Sequence, residues 1–216
     1  MRLPDFNKLF EDGRRVESAD FGPVTLRLHE VGRVVLTTGR VVACDPLVAP
    51  ETEAYTVELT PGRHPLLLSV AHFDDGDQRV AGAMLRVGGG EPAAWEMALL
   101  PGEDPAALGE DEIFGFGVDS ATGCLMDAEA ARAVAVLQEA NAESFFKLVE
   151  GEMEKTYVDT WSRAEVVLDE ASGLNVVAYS TGMGDGLYAS YFGRDAGGEV
   201  CRLVTDFALF DFDELA

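Results

Sequence analysis

Apolar residues recur at every second position along much of this chain, the period that places them on one face of a β-strand. Val24, Leu26 and Leu28 alternate with Thr25 and Arg27, and Val34 to Leu36 and Val41 to Ala43 follow across Gly39. These runs predict three strands joined by tight turns. Tyr55 to Leu59 alternates again before the Pro61-Gly62 turn signal. Leu66 to Phe73 is almost continuously apolar, as a strand buried on both faces would be, and Asp74-Asp75-Gly76-Asp77 ends it with a hairpin loop. Arg79 to Val87 and Ala94 to Leu100 predict two more strands around Gly88-Gly89-Gly90. After Trp161 the pattern resumes in Ala164 to Leu168, Leu174 to Thr181, Leu187 to Phe192 and Val200 to Phe207, with glycine-bearing turns between them.

The helical period is confined to two places. Pro4 to Glu11 predicts a short helix with Phe6, Leu9 and Phe10 on one side. Ala128 to about Lys155 predicts the one substantial helical block. There Ala130, Val134 and Leu137 form one core stripe, Phe145, Val149 and Met153 another, and Asn141 marks a break between them. The predicted fold class is α+β: mostly antiparallel β, a sandwich or partly open barrel of about ten to twelve strands, with one helical excursion near residues 128–155. With no repeat or linker in view, residues 1–216 are expected to form a single domain.

The segment Phe114 to Asp127, FGFGVDSATGCLMD, joins the two kinds of pattern. Phe114, Phe116 and Val118 alternate with Gly115 and Gly117, so the glycine side of this strand admits another backbone at close range. Asp119, Ser120, Thr122 and Gly123 read as a turn, and Asp127 stands where its carboxylate caps the following helix. A second glycine-rich turn, Thr181 to Gly186, carries Gly184 and Asp185 and leads into a strand bearing Tyr188. Asp206 closes the last strand pattern.

Charge narrows the choice of partners. The chain carries 39 acidic and 16 basic residues, a formal net charge of −23. Ten acidic and seven basic residues fall before position 61, twelve and three from 61 to 127, and seventeen and six thereafter, so the excess lies in the latter two-thirds. Such a surface repels nucleic acid and anionic membranes and favours a basic partner. The N-terminus lacks the apolar core of a secretory signal, and no stretch approaches eighteen apolar residues, so a cytoplasmic protein without a membrane span is expected.

Candidate chemistry is sparse. Cys44, Cys124 and Cys201 are odd in number and lack CxxC spacing, which argues against a disulfide framework and a zinc site. His29 and His72 fall on predicted strands, where hydrogen-bonded structural histidines are expected, and no nucleophile elbow is present. The Asp74 to Asp77 loop lacks the closing glutamate of a calcium loop. No catalytic set, metal site or cofactor is therefore assigned. The candidate binding positions are Asp119, Ser120, Thr122, Asp127, Gly184, Asp185, Tyr188 and Asp206. In the sharpest version Asp119 and Asp127 face one pocket, with the second turn beside it.

Several motifs carry a resemblance when taken in order: CDP at Cys44 to Pro46, PGRHP at Pro61 to Pro65, WEMA at Trp95 to Ala98, FGVDSATG at Phe116 to Gly123, GDGLY at Gly184 to Tyr188 and LVTDF at Leu203 to Phe207. Together they resemble the bacterial domain of unknown function 4241 family over about residues 30 to 207. His64 stands where that family more usually has Tyr, and Ala121 where Gly is common. The latter departure predicts that position 121 needs no positive φ. The resemblance implies a bacterial protein with no established substrate, cofactor or catalytic residue.

Two function classes follow. The first is a non-enzymatic binding module that meets a basic protein partner through its acidic face, as bacterial immunity proteins meet toxins. The alternative is a small-molecule or metal-binding, hydrolase-like enzyme using carboxylates on the 119–127 and 184–188 turns. DNA mimicry fits less well, because the acidic residues show no regular phosphate-like spacing. The sequence leaves oligomeric state open.

Overall fold

A computed structural model describes residues 3–48, 53–109 and 112–215. These described residues form thirteen strands, one long helix and two short 3-10 turns. The strands are β1 (Arg15–Ser18), β2 (Gly22–Leu36), β3 (Val41–Cys44), β4 (Gly62–Phe73), β5 (Gln78–Arg86), β6 (Ala94–Met97), β7 (Phe116–Val118) and β8 (Thr122–Asp127). After α1 (Ala128–Glu154) come β9 (Arg163–Asp169), β10 (Leu174–Ser180), β11 (Gly186–Tyr188), β12 (Ser190–Arg194) and β13 (Val200–Asp206). They form a seven-stranded sheet in the order β1-β2-β4-β5-β13-β12-β6, a four-stranded sheet β3-β8-β10-β9, and the pair β11-β7. Every pairing is antiparallel. The α+β class read from the sequence is the one observed.

Alternation along the strands sorts the side chains into layers. Leu36, Leu66, Leu68, Leu85, Phe192 and Leu203 of the large sheet meet Val41, Leu125, Val177 and Tyr179 of the small one in a central core. On the far side of the small sheet, Val42, Cys124, Met126, Val176 and Ala178 pack against Ala130, Val134, Phe145, Val149 and Met153 of α1. On the far side of the large sheet, Leu26, Leu67, Met84 and Val204 are covered by Phe6 and Leu9 of the first 3-10 turn and by Leu209, Phe210 and Leu215. Both sheets are thus buried on two faces, which is why β4 and β10 read as apolar runs.

Several sequence expectations are corrected. Residues 24 to 36 form one strand, not two: β2 runs through and absorbs its irregularity as a bulge between Glu30 and Gly32. Tyr55 to Leu59 is not a ladder strand. It bends at Thr56 and Val57 and bridges the two sheets, with the Tyr55 amide donating to Val41 O, that of Thr56 to Leu99 O and that of Leu59 to Gly39 O. Leu187 to Phe192 divides into β11 and β12, which pair with different partners. The motif at 114–127 is strand, turn, strand and then helix, because the Thr122–Asp127 run is itself β8. Leu137 is exposed, so the first core stripe of α1 consists of Ala130, Ala131 and Val134.

The helix breaks where its sequence predicts. Asn141 has φ −166° and ψ 89°, and its side chain accepts from the Ser144 amide, capping the second segment. His29 and His72 stack 6.4 Å apart on β2 and β4, yet the Nε2 atom of each is buried without a hydrogen-bond partner. Burial holds both below the usual histidine range, so they pack as neutral rings. The expectation of hydrogen-bonded histidines fails at those nitrogens. The segment Cys44 to Glu51, which its prolines predict to leave the sheet, and the acidic, turn-rich stretch Pro101 to Glu112 fall partly outside the described residues, at 49–51 and at 110–111. No helix among the described residues is long and apolar enough to cross a membrane.

Candidate functional site

Antiparallel register sets up the centre of the site. Cys44 at the end of β3 is the cross-strand partner of Cys124 in β8, so Asp45 emerges beside the turn that opens β8. There its carboxylate, 1% exposed, accepts four hydrogen bonds. Oδ1 takes the Leu47 amide at 2.9 Å and the Ser120 hydroxyl at 2.8 Å, and Oδ2 takes the Asp119 and Ser120 amides at 3.0 and 2.9 Å. All four partners are donors, a set that suits an ionised carboxylate. Asp45 therefore pins the 119–121 bend.

The second bend closes onto the first. β11 pairs with β7 so that Gly186 faces Val118 and Tyr188 faces Phe116, which brings Thr181–Gly186 alongside Ala121. Asp185 Oδ1 accepts from the Ala121 amide at 3.0 Å, and the Thr181 amide donates to Ala121 O at 3.1 Å. The second bend is held internally: Thr181 Oγ1 and the Tyr188 hydroxyl both donate to Gly184 O, each at 2.8 Å. Tyr188 is buried, with its ring edge-on to Phe207 at 4.9 Å, and burial raises its pKa. Gly115 is required where these segments cross, since a Cβ there would stand 2.4 Å from Tyr188 O. Gly117 faces open space.

Ala121 corrects an expectation. Its φ is +52°, in the left-handed region, where an Ala side chain is disfavoured. The conformation is imposed from both sides, because the Ala121 amide is taken by Asp185 and its carbonyl by Thr181.

The candidate residues do not all converge. Asp119, Ser120, Thr122, Gly184, Asp185 and Tyr188 gather at the joined bends. Asp127 lies at the opposite end of β8, fully buried, where it caps α1 through the Glu129 amide and accepts from Thr37 Oγ1 and from the Thr38 amide and hydroxyl. Asp119 and Asp127 therefore share no pocket. Asp206 points to the outer face of the large sheet, where it accepts from the Ala208 amide at 3.0 Å and lies near Tyr191. Burial raises its carboxyl to about 6, against the opposing pull of that amide. Of the four candidate carboxylates, Asp119 alone has no hydrogen-bond partner for its side chain among the described residues.

Beside the joined bends lies a groove of about 750 Å³. Leu47, Val48, Phe146, Met153 and Tyr157 supply its apolar surface, Ser120, Thr122 and Ser162 its hydroxyls, and Asp119, Glu150 and Glu154 its rim. Val48 and Tyr157 are 53% and 60% exposed. No lysine or arginine lines it, and among the described residues none of the three carboxylates is in an ion pair. The described residues contain no group of three or more His, Cys, Asp or Glu placed to hold a metal ion.

The family model described as "Protein of unknown function (DUF4241)" matches residues 34–205, from the end of β2 into β13. The chain belongs to the DUF4241 family. The match takes in the Asp45 pin, both bends and the whole of α1, so the joined bends are built from family sequence, whereas the outer cover formed by residues 6–10 and 209–215 lies beyond it. No curated protein and no solved structure matches this DUF4241 chain.

Asp45 enters the sequence analysis only inside the CDP motif at Cys44 to Pro46, with no role assigned to it. A signal was present: Asp between a strand end and Pro46, with an amide two residues on, is the pattern of an Asx turn. The groove residues of α1 gave no signal, since exposed carboxylates on a helix read as solvated surface.

Proposed function

We propose that this DUF4241 protein is a binding module whose groove takes a basic, partly apolar segment of a partner protein. The reading is carried by one observation: exposed apolar side chains at Val48, Phe146 and Tyr157, with half-buried Leu47 beside them, sit inside a rim of Asp119, Glu150 and Glu154 with no cation among the lining residues. Clustered apolar exposure of this kind marks contact surfaces, and the carboxylates select lysine or arginine on the incoming segment. The charge of −23 adds long-range attraction for a basic partner and disfavours phosphate backbones. A carboxylate enzyme has less support, because Asp127, Asp185 and Asp206 each hold a backbone amide.

The test uses a fluorescent amphipathic Lys/Leu peptide and anisotropy at low salt. Glu150→Lys with Glu154→Lys should weaken binding roughly tenfold, since replacing two attractions by repulsions costs about 1.4 kcal/mol. Added salt should weaken wild-type binding. The reading fails if reversal to Lys of Glu17 and Asp20, neither of which lines the groove, weakens binding as much as the groove reversal does.

A further inference from the structure

Cys44 and Cys124 are 80 positions apart in sequence, but the register of β3 and β8 makes them direct cross-strand partners with their Sγ atoms 3.7 Å apart. Cα atoms of such antiparallel partners lie about 4.5–5.5 Å apart, inside the range a disulfide spans. Both thiols are buried, and neither has a role in the joined bends or the groove. Cys44 also lines a separate small cavity of about 140 Å³, bounded by Tyr55, Leu100 and the Gly115-Phe116-Gly117 backbone. That space is large enough to hold a molecule of the size of hydrogen peroxide beside Cys44. Cys201 sits apart, donating its thiol to Gly193 O at 3.4 Å.

We infer that Cys44 and Cys124 are a modification site: a dithiol that peroxide converts to a reversible internal disulfide across β3 and β8. In the first step Cys44 sulfur attacks peroxide, the O–O bond breaks, and Cys44 sulfenic acid and one water are formed. Cys124 sulfur then displaces the sulfenic oxygen, the S–S bond forms, and a second water leaves with the remaining thiol proton. Two thiols are oxidised and one peroxide is reduced. The sulfurs must close from 3.7 Å to about 2.05 Å, a movement that χ1 adjustment within two packed strands supplies. Burial and the neighbouring Cys44 raise the Cys124 thiol well above its usual value, so the reaction is slow at neutral pH and quickens in alkali. The inference does not depend on the docking reading.

Folded protein is treated with hydrogen peroxide, quenched, denatured and alkylated, and its thiols are counted by mass. Three alkylated cysteines before treatment should fall to one, Cys201. Digestion without reductant should yield a peptide linking residues 44 and 124, and dithiothreitol should restore all three thiols. Cys201→Ala should still form the link. Retention of three thiols after prolonged alkaline peroxide would overturn the inference, as would loss of Cys44 to sulfinic acid with Cys124 still free, or links confined to separate molecules.

Discussion

Replacing Asp45 by Asn removes one charge and almost no volume, yet it should be among the most damaging changes available near the site. The buried carboxylate accepts from Leu47 N, Asp119 N, Ser120 N and Ser120 Oγ, two donors on each oxygen. An amide presents one oxygen and one NH2 group, so either orientation turns a donor toward two donors. At least one buried backbone amide is then unsatisfied, at about 1–3 kcal/mol, and the charge assistance on the remaining bonds is lost. The Ser120 hydroxyl can rotate to accept, which limits the damage, and the net loss should be about 3 kcal/mol. For a chain of this size that corresponds to a fall of about 6–12 °C in Tm. Urea unfolding followed by tryptophan fluorescence, alongside calorimetry, measures both quantities. Asp45→Ala should be no better, because it leaves the same amides without an acceptor. An Asn variant within about 0.5 kcal/mol of wild type would refute the pinning role and with it the account of how the 119–121 bend is held.

Three further expectations follow from the same geometry. Ala121→Gly should raise the urea midpoint by the equivalent of about 0.5 kcal/mol, the left-handed cost of Ala being partly cancelled by the freedom of Gly in the unfolded chain; a lowered midpoint would contradict the conformation at 121. Gly115→Ala should cost about 2 kcal/mol or more, because its Cβ meets Tyr188 O, while Gly117→Ala should be neutral, and equal effects in paired melts would refute the close crossing of the bends. Asp206 titrates at about 6 in the folded state, above its unfolded value, so its protonated form is favoured by folding and that contribution is lost as pH rises from about 4 through 6. Asp206→Asn should therefore match wild type near pH 4 and exceed it by about 1 kcal/mol at pH 7, less than the full shift implies because the residue keeps some solvent contact; a pH-independent difference would count against it.

Much of the fold was legible because both sheets are buried on two faces and α1 on one, so period-2 runs and a helical stripe carry the signal through Leu66–Phe73, Leu174–Ser180 and Phe145–Met153. What could not be read was pairing. β11 and β12 are contiguous in sequence, and only three-dimensional register shows that Tyr188 joins β7 while Ser190 onward joins the large sheet. Thr122–Asp127 is so short, and so enclosed by a turn signal and a cap signal, that its strand character was hidden. The two glycine-rich bends could be picked out individually, but their meeting depends on a strand pair 68 to 72 residues apart in sequence, from Gly186↔Val118 to Tyr188↔Phe116. The Asp residues at element ends stand out in the sequence, but for three of them the structure supplies a structural reason: a backbone amide that needs an acceptor.

The claim on which the account turns is that the groove beside the joined bends is where a basic segment docks. Chemical-shift mapping tests it most directly: 15N-labelled protein is titrated with an amphipathic Lys/Leu peptide at low salt. The account predicts saturable shifts concentrated at 119–122, 146–157 and Ser162, and their loss in the Glu150→Lys, Glu154→Lys protein. Shifts scattered over the acidic surface, or centred away from these residues and unchanged by the charge reversal, would contradict it.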